Sequence, residues 1–462
     1  MRNRIIFTFL ILWMMGPVYA QNQTDTLSWE QFKQAVKMYH PIAQQAGLMS
    51  GLAKAKMKQA WGEFDPKLSL DYDQKVYGGT DYYKFTTPEV KLPLWYGLEL
   101  KGNYATAEGA YINPENKLPS KGLSYVGVNV SLGKGLLLDK RRAAIKQAQI
   151  FRQASQNEQL LMINDLILDA GEAYINWQNK YQINQVYQKA LAIAQIRFDA
   201  VKQSYDGGDR PAIDTVEALT QIQQRQIQVQ QSSLELQNAL LEVGAFLWLP
   251  DNKPLPVEEM ILYPQQKSIE LPVTAIKSIN NNPKLLGYQF KLKDLEIEKR
   301  LKAENLRPSL DLQLGLLNSG SNAFRNLNSD YWQNNNKIGL MFSFPLTLSK
   351  ARGDLAEAKI KIKNTQFEQS LVRNELNLKL NQNQVESDVL VKQIQLLKQS
   401  LNANQKLLDG EEMRFRLGDS SLFLVNSRES KLIETQEKLI ETENKLRKNK
   451  LKAEWIMGSL AN

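Results

Sequence analysis

An internal repeat constrains the fold of this sequence more than any other feature. Residues 40–73 align with residues 282–315, and each segment has two prolines at the same spacing, at positions 41 and 66 and at positions 283 and 308. Leucines at alternate positions follow the second proline in both segments. Self-similarity of this kind indicates that one structural unit occurs twice. The two halves of the chain are therefore predicted to share one order of helices and strands.

The similarity continues further along each half. Residues 126–132, VGVNVSL, resemble residues 338–344, IGLMFSF. Each half is predicted to contain a helix, strands, a very long helix, a turn and a second helix. The first repeat covers about 27–249 and the second about 272–458. The expected fold class is mostly α with β, in two internal structural repeats.

A very long helix is predicted in each half. The interval from Asp139 to Asp209 is equal in length to the interval from Ser349 to Asp419. Apolar residues recur at steps of three and four, which is typical of a helix with one buried stripe. In the first half these positions are Ile163, Leu166, Ile167, Ala170, Tyr174, Trp177 and Tyr181. At about 1.5 Å per residue each helix is roughly 100 Å long, which suits a tube or a stalk. The narrow stripe predicts coiled-coil-like pairing.

Strands are predicted within about 66–133 and 308–345, where apolar and polar residues alternate. The apolar positions carry no charged residue: Leu68, Leu70, Tyr72, Val126, Val128, Val130, Leu132, Leu310, Leu312, Leu314, Leu316, Ile338, Leu340, Phe342 and Phe344. A charge on a lipid-facing strand costs about 2–4 kcal/mol at mid-membrane, so this pattern favours strands in a bilayer over a soluble half-buried sheet. Aromatic residues near the strand ends suit the membrane interface: Tyr77, Tyr82, Tyr83, Tyr125, Tyr331 and Trp332.

The first half contains an additional segment. The interval from Pro66 to Gly127 is about twice as long as the matching interval from Pro308 to Gly339. Residues 88–108 within it alternate on both sides of Trp-Tyr-Gly, which predicts an added β-hairpin. Whether this hairpin widens a barrel or lies outside it stays open at this point.

The long helices are each interrupted by a Gly-Asp turn. The turns lie near 205–211, in YDGGDRP, and near 415–421, in FRLGDSS. The glycines Gly207, Gly208 and Gly418 are expected to give the backbone freedom to reverse. Asp209 or Ser420 is expected to cap the returning helix, with Pro211 in its first turn.

The N-terminus predicts export. Residues 1–20 contain two arginines, an apolar run and a small-x-small end, and this pattern is typical of a secretory signal peptide cleaved before Gln21. The mature protein would then comprise residues 21–462, and any membrane crossing would be made by strands.

Composition excludes several functions. The chain has no cysteine and one histidine, His40, so thiol, zinc or histidine-based catalysis is not expected, nor is a metal or cofactor. The formal net charge is +9, but basic and acidic residues are interleaved, which indicates a solvated surface rather than a nucleic-acid groove. The expected protein is not an enzyme.

The motifs together resemble those of the TolC-like outer-membrane efflux channel family. Residues 27–70 are similar to its opening helix and first strand, and Tyr205-x-x-Gly208 and Phe415-x-x-Gly418 are similar to its two hairpin tips. The similarity covers the whole mature chain. It implies a homotrimer, in which four strands per protomer close one shared transmembrane β-barrel above a long periplasmic α-helical coiled-coil tunnel. It also implies porin activity in the cell outer membrane, in contact with its lipid and with a periplasmic extension.

The resemblance further implies a passive exit duct for a tripartite efflux pump or a type I secretion system. The tunnel tip would contact a periplasmic adaptor protein of an inner-membrane pump. The residues reach part of this conclusion alone, because four or six strands cannot close a barrel whose minimum is about eight. The alternative is a periplasmic adaptor or coiled-coil scaffold that never enters the membrane.

The family assigns the tips to a gate and adaptor contact. The residues expected there are Tyr205, Asp206, Gly207, Gly208, Asp209, Asp214, Phe415, Gly418, Asp419, Leu424 and Ser427. The family often carries an aspartate pair where this chain has Leu424 and Ser427. Entrance charge is therefore expected from Asp206, Asp209, Asp214 and Asp419.

Overall fold

The fold is described from a computed structural model, for residues 26–256, 263–264, 279–324 and 334–461. The predicted signal peptide and the predicted interfacial residues Tyr331 and Trp332 lie outside these ranges. Close contacts divide the chain into two units. The hairpin unit comprises the described residues of 1–44, 163–277 and 379–462, and the sheet unit those of 45–162 and 278–378.

The structure contains long helices and one large sheet, as the sequence predicts. The helices are α1 (Trp29–Tyr39), α2 (Pro41–Gly62), α3 (Lys140–Asp206), α4 (Ala212–Gly244), α5 (Pro283–Glu304), α6 (Ser349–Arg416) and α7 (Leu422–Met457). The strands are β1 (Thr26–Leu27), β2 (Lys67–Tyr77), β3 (Thr80–Pro93), β4 (Leu98–Glu108), β5 (Leu123–Ser131), β6 (Trp248–Leu249), β7 (Lys253–Pro254), β8 (Tyr263–Pro264), β9 (Ser309–Ser319) and β10 (Asn336–Ser343). The predicted class, mostly α with β, is confirmed.

Aromatic residues form the core of the hairpin unit. Phe32 of α1 stacks on Tyr174 of α3, with ring centroids 5.4 Å apart, and Trp177 meets Tyr174 edge-on. Val243 and Leu451 complete this fully buried group. Large buried aromatic rings contribute most of the apolar area in such a core. The predicted stripe of α3 is thus the buried face of this helix within the unit.

His40 links α1 to α2 within the hairpin unit. Its Nδ1 accepts a hydrogen bond from the backbone N–H of Ile42 at 3.2 Å, and its ring stacks on Phe246. Burial lowers the pKa of His40, which favours the neutral ring that can accept this bond. The only histidine of the chain therefore serves as a local structural connector.

The sheet unit contains six antiparallel strands in the order β10-β9-β5-β4-β3-β2. Residues 88–108 belong to β3, the turn after it and β4, in the interior of this sheet. Trp95 lies in the turn between these strands and stacks on Phe64, with ring centroids 5.1 Å apart. The hairpin is therefore an integral part of the sheet, not an appendage.

The strand register separates the sheet into an apolar and a polar face. Two rows of side chains across the sheet are entirely apolar: Leu92, Leu100, Val128, Leu314 and Ile338, and Leu98, Val130, Leu312 and Leu340. A row on the opposite face contains Lys67, Lys91, Lys101, Gly127, Gly315 and Lys337. Successive residues of a strand point to opposite faces, so the two apolar rows and the lysine row lie on opposite faces of the sheet. Lys84 and Glu108, which pair with each other nearer the other end of β3 and β4, are on the face of the apolar rows.

None of the helices in the described ranges is both long enough and apolar enough to cross a membrane.

Candidate functional site

The two helical hairpin tips have the same backbone geometry. Gly208 and Gly418 take positive φ angles of 82° and 84°. The N–H of Asp209 donates to the carbonyl of Ser204, and the N–H of Asp419 donates to that of Arg414, both at 2.9 Å. Glycine in the left-handed region followed by this long backward hydrogen bond is a common way to end a helix. The Gly-Asp pair therefore ends α3 and α6 in one way.

Gly207 is not required in the same manner as its neighbour. Its φ angle is not positive. A Cβ atom built on it would approach nothing closer than the Gln203 carbonyl oxygen at 3.5 Å. The prediction that all three tip glycines supply backbone freedom holds for Gly208 and Gly418 alone.

The caps of the returning helices differ from the prediction. The N-cap of α4 is Pro211, which offers no side-chain acceptor, so Asp209 does not cap this helix. The N-cap of α7 is Ser421, whose Oγ accepts from the N–H of Leu424 at 3.4 Å. The predicted cap Ser420 instead donates its hydroxyl to the Glu411 carboxylate at 2.5 Å. The prediction that Asp209 or Ser420 caps the returning helix is therefore wrong. The residues with the extended backbone of an N-cap are Pro211, two residues after Asp209, and Ser421, one residue after Ser420.

Arg210 connects the two tips. Its guanidinium carbon lies 3.7 Å from the centroid of the Phe415 ring, and one NH2 group donates to the Phe415 carbonyl at 3.1 Å. The other donates to the Asp214 carboxylate at 3.3 Å. Two predicted site residues, Asp214 and Phe415, are thus brought together by an arginine that sequence reasoning missed. The tip clasp, defined as Arg210, Asp214 and Phe415, joins the first hairpin to the second.

The remaining predicted tip residues lie at the surface. The exposed residues are Tyr205, Asp206, Gly207, Gly208, Asp209, Gly418, Asp419, Leu424 and Ser427. Beneath them Val201, Ala218 and Leu422 form a small buried cluster from three helices. The tips therefore combine a packed base with an exposed rim.

A buried charge network joins all four hairpin helices near the tips. Arg197 of α3 donates to Glu412 of α6 at 3.0 Å and to Glu429 of α7 at 2.9 Å. Arg225 of α4 lies 3.7 Å from Glu429, and it also donates to the Ser430 hydroxyl at 3.0 Å. The side chains of Arg225 and Glu429 are only 2% and 4% exposed. Buried charges need this kind of pairing, because an unpaired charge in the interior is costly.

Burial shifts the pKa of Arg225 in this network and that of the nearby Tyr187. Desolvation lowers the pKa of Arg225, while the Glu429 carboxylate acts in the opposite direction and favours the charged guanidinium. Burial and a hydrogen bond to Glu437 raise the pKa of Tyr187, so its hydroxyl stays protonated as the donor at 2.7 Å. The charge network, defined as Arg197, Arg225, Glu412 and Glu429, was not predicted from the sequence.

The helix α6 exposes apolar residues along one side. These residues, the α6 stripe, follow steps of seven, four and seven residues: Ile360, Phe367, Leu371, Leu378, Val385, Val389 and Leu396. These steps average about 3.6 residues per turn, so the stripe stays on one side of the helix. Soluble monomers rarely expose a contiguous apolar surface of this kind. The α6 stripe is therefore an exposed apolar surface of this helix.

The polar face of the sheet contains paired charges. The Glu89 carboxylate lies 2.5 Å from Lys91 and 2.5 Å from Lys101, and Glu99 lies 3.5 Å from Arg141. Glu89 thus pairs with one lysine of its own strand, β3, and with one lysine of β4. This face is thus suited to water, in contrast to the apolar rows opposite.

Comparisons with known proteins identify the fold. No protein-family model matches the chain, and no curated protein matches its sequence. Among solved structures the chain is similar to CusC, with a TM-score of 0.66 and 13% identity over 93% of this chain and 91% of that one. The chain has a TolC-like fold.

Two further solved structures agree. The outer membrane protein VceC from Vibrio cholerae matches with a TM-score of 0.65 and 13% identity, covering 93% of this chain and 95% of that one. The MtrE outer membrane channel of Neisseria gonorrhoeae, in its open state, matches at 0.63 and 12%, covering 93% and 89%. At such identities the likeness concerns the TolC-like fold alone.

Proposed function

We propose that this protein is a passive exit duct in the cell outer membrane, which passes solutes outward from a tripartite efflux pump or a type I secretion system. It acts as a homotrimer, and it is exported by a cleaved signal peptide. The solved structures with the same fold include proteins named as outer membrane channels, which supports the proposal.

The apolar face of the sheet is the observation that carries this proposal. On the edge strands its side chains are exposed in the isolated chain, with Leu68 79% and Ile338 69% exposed, and on the inner strands side chains such as Val128 and Leu312 are partly exposed. The two apolar rows hold no charge, whereas a charged row lies on the opposite face. Strands that present apolar residues outward and polar residues inward are typical of membrane barrels.

The helices support assembly from several copies. The α6 stripe runs over residues 360–396, and α4 exposes Val216, Ile227, Leu234 and Leu241 at steps of eleven and seven. Burying such stripes removes apolar area from water at about 25 cal/mol per Å². Neighbouring copies of the chain are suitable occupants, because apolar residues at such spacing allow two helices to pack with their side chains interlocked. The number three is taken from the TolC-like resemblance.

The tips support a protein partner. Leu417 is 71% exposed, and Ile213 in the first turn of α4 and Phe423 in the first turn of α7 are exposed as well. Apolar and aromatic residues in an exposed group mark interaction surfaces. A periplasmic adaptor protein of an inner-membrane pump is the proposed partner. The pump would supply the energy, since the sequence has no phosphate-binding loop motif.

The first test is the conductance of single pores of the purified protein in a planar bilayer, with the oligomer measured by native mass spectrometry. We expect trimers that form stable pores. Asp214→Ala removes a partner of Arg210, and Leu424→Asp adds a charge to the exposed rim, so both are expected to change ion selectivity. Asp388→Ala, an exposed acid in the middle of α6, is the matched control.

The outcomes separate the two functions considered. A protein that stays soluble without detergent and forms no pores is not an outer-membrane duct, and it fits the periplasmic adaptor or scaffold. If all three substitutions leave the pores unchanged, the protein is still a duct, but its gate does not lie at the tips.

A further inference from the structure

The hairpin β3–β4 distinguishes this chain from the four strands per copy that its resemblance implies. The hairpin lies inside the sheet, and both of its strands pair on both sides. β2 pairs with β3 from Lys67↔Lys91 to Tyr77↔Thr80, and β4 pairs with β5 from Leu98↔Val130 to Ala105↔Leu123. Removing the hairpin from the sheet would therefore break backbone pairing along two strands.

The turn of the hairpin is anchored as well. Trp95 packs between Trp61 and Phe64 at the end of α2, with ring centroids 5.9 Å and 5.1 Å away. Arg142 at the start of α3 lies over the Tyr96 ring, 5.2 Å from its centroid. These contacts hold the turn against the helices that enter and leave the strands. An appendage lying outside a barrel would not need them.

The two edge strands of the sheet are complementary. Six antiparallel strands in succession make β2 and β10 run in opposite directions. The β2 strand of one copy could therefore meet the β10 strand of a rotated second copy in antiparallel register. Leu68 of β2 and Ile338 of β10 also lie on the same apolar face, as the register through Val90, Gly102, Val126 and Leu316 requires. Pairing of the edges would join apolar face to apolar face and polar face to polar face.

We infer that β2 of one copy pairs with β10 of the next, so that each copy contributes six strands to a shared barrel. This inference rests on the proposed trimeric duct. Three copies of a six-stranded sheet make 18 strands, against 12 from four-stranded copies. Barrel diameter grows roughly linearly with strand number, so the barrel is about 1.5 times as wide. A free edge in lipid would leave backbone groups unpaired, which is why both edges require a partner.

The added strands also determine the lining of the wider barrel. Glu89 and Lys91 belong to β3, and Glu99 and Lys101 belong to β4, all on the polar face. Their ion pairs place alternating charges toward the interior. The inserted hairpin therefore contributes both the extra width and a charged belt, and it favours polar, hydrated cargo.

Cysteine cross-linking tests which edge strands meet between copies. The chain has no cysteine of its own, so only the introduced cysteines can form a disulfide. The full-length protein is purified in detergent with Ser69→Cys in β2, combined in turn with Lys337→Cys, Met341→Cys or Ser343→Cys in β10. All four positions lie on the polar face, and the three in β10 sample its register. After oxidation we expect one combination to give covalent dimers and trimers in non-reducing gels.

Matched variants test the alternative, in which only four strands of each copy belong to the barrel. Asn103→Cys in β4 is combined with the same three positions of β10, and these are expected to give no cross-link between copies. Asp71→Cys with Thr87→Cys, a directly paired position of β2 and β3, is expected to form a disulfide within one chain. This pair shows that the hairpin stays in the sheet.

The outcomes are distinct. Cross-links from Asn103 to β10, without cross-links from Ser69, would mean that four strands per copy close the barrel and that β2–β3 lies outside it. Trimers that form pores but show neither cross-link would also overturn the inference. Absence of trimers in native mass spectrometry would refute the proposed function itself, and the inference with it.

Discussion

The two hairpin tips reach the same backbone by different side chains. Gly208 and Gly418 have nearly equal φ angles, 82° and 84°, and the residue after each makes the same backward hydrogen bond. Around this shared turn the side chains diverge. In the first tip Arg210 contacts the second tip, and the N-cap residue Pro211 has no side-chain acceptor. In the second tip the N-cap residue is Ser421, whose hydroxyl accepts a hydrogen bond. The turn thus requires only the glycine, which leaves its neighbours available for contacts between the tips.

The charge network extends the same asymmetry. The first hairpin supplies the cations, Arg197 and Arg225, and the second supplies the anions, Glu412 and Glu429. Neither hairpin can satisfy its own buried charges in this network. The two repeats, similar in backbone, are therefore complementary in charge.

The largest expected effect comes from breaking this complementarity. Glu429→Gln leaves Arg197 and Arg225 without their shared carboxylate, and removing one partner of a buried pair costs about 3–5 kcal/mol. We expect hydrogen exchange of amides near the tips to speed up by about two to four orders of magnitude, as read by mass spectrometry.

Glu434→Gln is the control for this substitution. Glu434 is an exposed acid on the same helix that pairs with Lys431 and Lys438 at the surface. Surface pairs contribute about 0–1 kcal/mol, so exchange should change little. Equal effects of the two substitutions would show that the buried network does not hold the hairpins together.

A smaller and symmetrical effect is expected from the tip glycines. Gly208→Ala and Gly418→Ala each force a side chain into the left-handed region, at a cost of about 1–2 kcal/mol. A Cβ atom at either position meets nothing within 4 Å, so the cost comes from the backbone alone. Both tips should therefore exchange faster by a similar factor. Gly207→Ala should be close to neutral, and a cost equal to that of Gly208→Ala would contradict this account.

Much of the fold could be predicted from the sequence because it depends on local patterns. The helical period indicated the helices, alternation indicated the strands, and the Trp-Tyr-Gly segment indicated the turn that contains Trp95. The Gly-Asp pairs located both tips. Each of these features is determined by residues close together in the chain. The limits of the two repeats and the functional role of the tip residues stay predictions.

The contacts between hairpins could not be predicted in this way. Arg210 and the Phe415 carbonyl are 205 residues apart, and Arg197 and Glu429 are 232 apart. Which arginine meets which acid depends on the rotation and axial position of four packed helices, and no local pattern determines these. The cap was missed for a different reason, since Ser420 and Ser421 are adjacent and equally suited to capping. Only the backbone angle at Ser421 distinguishes them.

The cap gives a third test, specific to the second tip. Ser421→Ala removes the acceptor for the Leu424 N–H and should cost about 1 kcal/mol, so the first turn of α7 exchanges roughly fivefold faster. Ser427→Ala, an exposed serine one turn further along, should leave this turn unchanged. If both serines behave alike, the hydroxyl of Ser421 does not stabilise the helix.

The smallest effect concerns the tip clasp, where the two tips meet. Arg210→Lys keeps the positive charge beside Asp214 but loses the planar group that stacks on Phe415 and donates to its carbonyl. A cation–π contact at an exposed site contributes about 0.5–1 kcal/mol, so a change of roughly two- to fivefold in exchange is expected. The informative point is its location, since a substitution in the first tip should accelerate exchange at residues 415–421 of the second. Arg416→Lys is the control, because Arg416 bonds a carbonyl of its own helix. If Arg210→Lys leaves the second tip as protected as Arg416→Lys does, the tips are independent turns and the clasp does not couple them.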